Sequence, residues 1–103
     1  MYRLVATSLY KYLIEFIGTF VFLTVILATG KAIPIGLALA AMIYWGGPVS
    51  GGCFNPAVSL VSYLNNSLSM TDMVIYIVLQ LLAAACAYAF FKQTKGLYKT
   101  SQV

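Results

Sequence analysis

Charge is what this sequence has least of. Of its 103 residues, 8% are Asp, Glu, Lys or Arg, where a soluble domain carries about a quarter. The apolar fraction is 62%, and the mean hydropathy is +0.93. So little polar surface cannot cover a soluble monomer of this size, which excludes a soluble enzyme domain, a disordered chain and a nucleic-acid binder. Histidine is absent, removing the commonest general base and metal ligand. Cysteine is scarce: Cys53 and Cys86 lie far apart with no Cys-x-x-Cys, a pattern of neither a metal site nor a disulfide framework. No enzymatic chemistry, metal or cofactor is therefore expected. No cleavable signal peptide is evident, because the first apolar run lacks a clear small-residue cleavage site and carries Glu15.

What is present is long and apolar. One helical crossing of a bilayer takes about 20 residues, so the chain has room for three or four crossings and little else. The run from Tyr10 to Thr29 has Lys11 and Glu15 as its charges and, at about 1.5 Å per residue, spans about 30 Å, one hydrocarbon core. Gly30-Lys31 is a turn, and Pro34 suits the first turn of a second helix. That second run, about residues 32–47, is interrupted at Gly46-Gly47-Pro48, with Trp45 at headgroup level. A third full span covers about residues 72–91, capped by Thr71 or Ser69. The net charge of +4 comes from six basic and two acidic residues. On an apolar chain such a surplus marks headgroup contact near helix ends, as for Lys92, Lys95 and Lys99 in a polar tail.

Between the second and third runs, Gly46, Gly47, Pro48, Ser50, Gly51 and Gly52 are incompatible with a helix interior. Asn55-Pro56 then reads as an N-cap followed by proline at the first helical position. The helix it starts, closed by Asn65-Asn66, is too short to cross a bilayer. Irregular backbone at membrane depth survives against protein or a water-filled cavity, and a short helix beginning there presents its positive dipole end to that cavity. An aqueous loop followed by an interfacial helix fits the pattern equally well.

The run Ser50-Gly51-Gly52-Cys53-Phe54-Asn55-Pro56-Ala57-Val58 resembles the first Asn-Pro-Ala motif of the major intrinsic proteins, the aquaporin and glycerol-channel family. Its context is similar too. Glu15-Phe16-Ile17-Gly18-Thr19 resembles the first-helix motif, Gly36 and Gly47 the second helix, and Tyr76 and Gln80 the third. The resemblance covers roughly residues 12–92. Cys53 departs from the usual histidine and Ala83 from the usual glycine, and the turn between the first two helices is much shorter than usual. Full-length members contain two inverted halves, whereas one Asn-Pro-Ala occurs here. Val58 holds a place that is arginine after the second motif, and the chain's only arginine is Arg3.

The resemblance implies an all-α membrane protein, half of an aquaporin-like fold: three transmembrane helices and one re-entrant half-helix over about residues 48–65, in one unit covering residues 1–103. It implies that Asn55 donates its amide to a water or alcohol oxygen in a pore, where the alternative is a plain N-cap. Pro56 would fix the helix start and Ala57 pack closely, with Gly51, Gly52 and Cys53 offering carbonyls to the pore. Ile35 would sit in the narrow selectivity ring, made broader and more apolar by Val58. Glu15, a carboxylate within a span, is a relay candidate by default, but the family gives it and Gln80 a structural role as hydrogen-bond partners of the loop. Gly18, Gly36 and Ala40 read as helix-contact residues.

The implied function is passive conduction of water or small neutral solutes by an integral, multi-pass protein in the lipid bilayer. One copy supplies half a pore, so the expected partner is an inverted second copy, possibly within a larger homo-oligomer, or a complementary half-channel. Two other classes compete. One is a proton-coupled antiporter of the small multidrug type, which also carries a glutamate in its first helix. The other is a non-conducting partner of full-length channels. Charge counting favours dual topology: Arg3 and Lys11 flank one side, and Lys31, Lys92, Lys95 and Lys99 the other, a gap that specifies orientation poorly.

Overall fold

The computed structural model describes residues 2–101, with side chains described for residues 7–97. Arg3 and Lys99 lie outside the described side chains. Four helices follow in order: α1 (Tyr2–Thr29), α2 (Ala32–Ser50), α3 (Pro56–Leu64) and α4 (Met70–Ser101). Three of them contain segments long and apolar enough to cross a membrane, Thr7–Thr29, Ala32–Ser50 and Met70–Leu97.

The turn between α1 and α2 needs only Gly30 and Lys31, because Gly30 adopts a φ of 61° that reverses the chain at once. So tight a connection makes α2 antiparallel to α1. α4 returns parallel to α1: Lys11 pairs with Asp72, Tyr12 meets Tyr76 edge-on, Glu15 bonds Gln80, and Phe20 meets Phe90. Ala83 and Ala87 are fully buried, small residues of the kind that let membrane helices approach closely.

Burial is inverted relative to a soluble domain. The largest fully buried side chains are Tyr76, Phe54, Gln80, Glu15, Thr19 and Ser59, while Ile33, Leu37, Tyr44, Val61 and Leu64 are exposed. A polar interior inside an apolar shell suits hydrocarbon surroundings, where buried polar groups must find partners internally.

Two expectations from the sequence need correction. Gly46, Gly47 and Pro48 lie within α2, which continues past Trp45 to Ser50. Pro48 sits in the last turn, where the loss of its N–H costs one helical bond. Gly46 is needed because a Cβ there would overlap the Ile14 side chain. Trp45 is therefore more than a turn from the helix end rather than at a helix terminus. The break falls instead at Gly51, whose φ is 92° and whose N–H donates to the Gly47 carbonyl at 2.8 Å. Likewise, the lysine-bearing segment after residue 91 is helical, part of α4 to Ser101.

Candidate pore loop and its carboxylate clamp

Residues 51–55 join α2 to α3 through a path that few residues tolerate. Gly51, Gly52 and Phe54 all have positive φ, at 92°, 66° and 54°. Glycine adopts this region freely, whereas Phe54 does so at a cost of about 1–3 kcal/mol. Asn55 is then extended, with φ −162° and ψ 130°, and caps α3: its Oδ1 accepts the Ala57 N–H at 2.7 Å. Pro56 occupies the first helical position, where its missing N–H would have had no partner.

The loop is held from beneath by one carboxylate. Glu15 is wholly buried, and four donors converge on it. Ser50 Oγ and the Cys53 N–H donate to Oε2 at 2.7 and 3.0 Å. The Phe54 N–H and Gln80 Nε2 donate to Oε1 at 2.8 and 3.0 Å. Gln80 Nε2 also donates to Ser59 Oγ at 2.8 Å, which ties α3 to α4, and Ser59 Oγ donates to the Asn55 carbonyl at 3.1 Å. The Tyr76 hydroxyl donates to the Ser50 carbonyl at 2.7 Å, satisfying a group freed where α2 ends. Backbone N–H groups that no helix or sheet can satisfy thus find acceptors in a buried side chain.

Helix arithmetic places the loop in depth. From Lys11 to Lys31 the bundle spans about 30 Å. Gln80 lies about 12 Å along α4 from Asp72, and Asn55 is one turn, about 5 Å, beyond the Ser59 that Gln80 contacts. Asn55 therefore sits inside the span of the bundle rather than at its end. Its side chain is exposed, and its amide NH₂ has no hydrogen-bond partner among the described residues. Ala57 and Val58 are also exposed, Cys53 and Gly52 are buried, and Gly51 is exposed. The Cys53 thiol lies 3.7 Å from Ser62 Oγ. Ile35 is not brought to this cluster: it lies about 22 Å along α2 from Ser50. Gly18 packs under Phe54, whereas Gly36 has open space at its Cβ position, and Ala40 is exposed. Among the described residues there is no group of three metal-ligating side chains.

Several residues of the site escape a reading of the sequence. Phe54 is 1% exposed and looks like any apolar loop residue; Gly18, which leaves room for its ring, is the one available signal. Ser59 and the Tyr76–Ser50 bond carry no local signature. Lys11, read above as a flanking charge, pairs with Asp72 at 2.6 Å, and the Tyr12 hydroxyl donates to the other Asp72 oxygen at 2.6 Å.

Three apolar helices around a polar-clamped re-entrant loop define an integral, multi-pass α-helical membrane protein. The family model of the major intrinsic proteins matches residues 29–102. The chain is 43% identical over 91 residues to a glycerol uptake facilitator protein-like 6 of Lactiplantibacillus plantarum, covering 80% of this chain and 42% of that protein. It is 35% identical over 105 residues to a probable aquaporin PIP1-5 of Arabidopsis thaliana, covering 84% of this chain and 37% of the relative. An aquaporin PIP1-2 of Musa acuminata is 32% identical over 105 residues, with 84% and 41% covered. The chain belongs to the major intrinsic protein family, and it spans about two fifths of the length of these relatives. No solved structure matches it significantly.

Proposed function

We propose that this chain forms half of a passive pore for water or small neutral solutes, and that an inverted unit of the same architecture completes it. The observation that carries this reading is the capped α3 N-terminus set inside the span of the bundle, with its asparagine exposed. Asn55 Oδ1 is engaged by the Ala57 N–H, so the amide orientation is fixed and the NH₂ is left to donate outward. A permeating oxygen accepting from that NH₂, beside the positive end of the α3 dipole, is oriented with its own hydrogens away. That orientation favours passage of the neutral molecule over proton hopping. Pro56 and Ala57 set the start of α3, and Gly51, Gly52 and Cys53 supply the loop backbone leading to Asn55. With the apolar Val58 exposed beside Asn55, the pore wall there is apolar and admits small polyols alongside water.

The outward side of α3 supports the need for a second unit. Val58, Leu60, Val61 and Leu64 are exposed beside Asn55, and an amide facing hydrocarbon without a partner is costly. An inverted copy places a second Asn55 opposite the first; a complementary half does the same with its own loop. The antiporter reading needs a glutamate that is reachable and free to exchange a proton. Glu15 is fully buried and shared among four donors, which supports its structural role.

The test is reconstitution of the purified chain in liposomes with stopped-flow measurement of osmotic shrinkage and glycerol entry. Faster flux without proton leak supports the reading. Unchanged permeability in vesicles that contain folded oligomer refutes a self-sufficient pore and favours the non-conducting partner role. Proton-coupled uptake abolished by Glu15→Gln would favour the antiporter.

A further inference from the structure

Phe54 combines properties that the carboxylate clamp does not explain. Its backbone is left-handed, an unfavourable state for a residue with a side chain, yet its ring is almost completely buried. The ring lies against Gly18 of α1, in space that a side chain there would occupy, with Gly46 of α2 in contact beside it. A Cβ on Gly18 would overlap the ring, and one on Gly46 would stand 3.4 Å from Cζ. A Cβ on Gly52 would stand 3.5 Å from Cε2, so the loop itself closes over the ring. The Phe54 N–H is fixed separately, on Glu15 Oε1 at 2.8 Å. Asn55 is the next residue in the chain.

We propose that Phe54 is the positioning residue of the pore: its ring, seated on Gly18 and packed beside Gly46, sets the depth and direction at which Asn55 presents its amide. The polar contacts hold the loop through its backbone and through Ser50 and Ser59, and none of them fixes the side-chain direction of the residue before Asn55. A ring held between two helices does, because packed interiors resist displacement by even one methyl group. The left-handed backbone follows: it is the conformation that turns the ring inward while the N–H reaches Glu15 and the chain continues outward to Asn55. The proposal rests on the pore reading above for the role of Asn55, and the seat of the ring is testable without it.

Cys53, the neighbour of Phe54, is 5% exposed and reports on the loop. In a Cys86→Ala background, Cys53 is the single thiol and is expected to react slowly with a small thiol reagent. Gly18→Ala drives the ring from its seat: Cys53 labelling should rise at least tenfold, and water flux per folded protein should fall at least fivefold. Adding Phe54→Leu exchanges ring volume for the new methyl, a volume-conserving swap of the kind cores tolerate. It should return labelling to within twofold of the parent and at least half of the flux. A Gly18→Ala chain that does not fold, while the double variant folds and protects Cys53, supports the seat equally. The proposal is overturned by unchanged labelling in a folded Gly18→Ala variant, by a double variant as reactive as the single one, or by failure of both to fold. A parent chain that conducts nothing, with the labelling pattern as expected, overturns the pore reading and leaves the seat of Phe54 supported.

Discussion

Glu15 shows how much one side chain carries. Its two oxygens receive four donors from α2, the loop and α4, so no geometry of a neutral amide reproduces it. Glu15→Gln replaces one acceptor by an NH₂ group, which then faces a fixed backbone donor whichever way it turns, the Cys53 N–H or the Phe54 N–H. Each buried donor left unsatisfied costs about 1–3 kcal/mol. The variant should lose thermal stability in detergent by several degrees while conferring no proton coupling; an unchanged melting temperature would show that the clamp contributes little. Thr19 makes the opposite prediction. It is 1% exposed, and its Oγ1 has no hydrogen-bond partner among the described residues. Thr19→Val keeps the shape and removes the unpaired hydroxyl, so stability should rise by about 1 kcal/mol. A fall measured in the same melts would indicate a partner for that hydroxyl in the assembled protein.

At the scale of the element, α3 depends on its first residue in two separable ways. The Asn55 carbonyl and Oδ1 cap the helix, while the NH₂ is directed to the permeant. Asn55→Ser keeps a capping oxygen and removes the donor amide; Asn55→Ala removes both. Loss of an N-cap costs about 1 kcal/mol, so Ala should melt lower than Ser, yet both should lower flux per folded protein severalfold. Equal flux in the Ser variant and the parent would make Asn55 a cap and nothing more. The cap itself is legible in the sequence, since Asn-Pro followed by small and apolar residues is a helix start on any reading. The end of α2 is not. Gly-Gly-Pro looks like a break, and local propensity favours one. The α2 helix continues because Gly46 lets Ile14 of α1 close against it, a packing demand from a segment far away in sequence.

For the whole molecule, orientation follows from charges at the two ends of the bundle. α1 and α4 run parallel, so Lys31 and the lysines of the last turns of α4 share one side, and Arg3 and Lys11 the other. Positive residues near span ends set topology largely without regard to acidic neighbours, so the Asp72 pairing of Lys11 leaves the count close. The expected outcome is a mixture of orientations: a reporter fused after residue 103 should give signal from both sides of the membrane. Lys31→Gln should shift the ratio, and one fixed orientation that resists such changes would exclude an inverted homodimer and require a complementary half.

The sequence by itself determined that this is a membrane protein with three apolar spans and an Asn-Pro helix start between the second and third. Those features are local: hydropathy over about 20 residues, and a cap whose partners lie within one turn. The tertiary structure decided where α2 stops, which groups hold the loop, and why Phe54 is buried. Each of these depends on atoms brought together from α1, α2, the loop and α4. Glu15 and Gln80 are 3.0 Å apart in space and most of the chain apart in sequence. No periodicity or propensity encodes that distance; it exists only once the helices have packed and the buried donors have been counted against their acceptors.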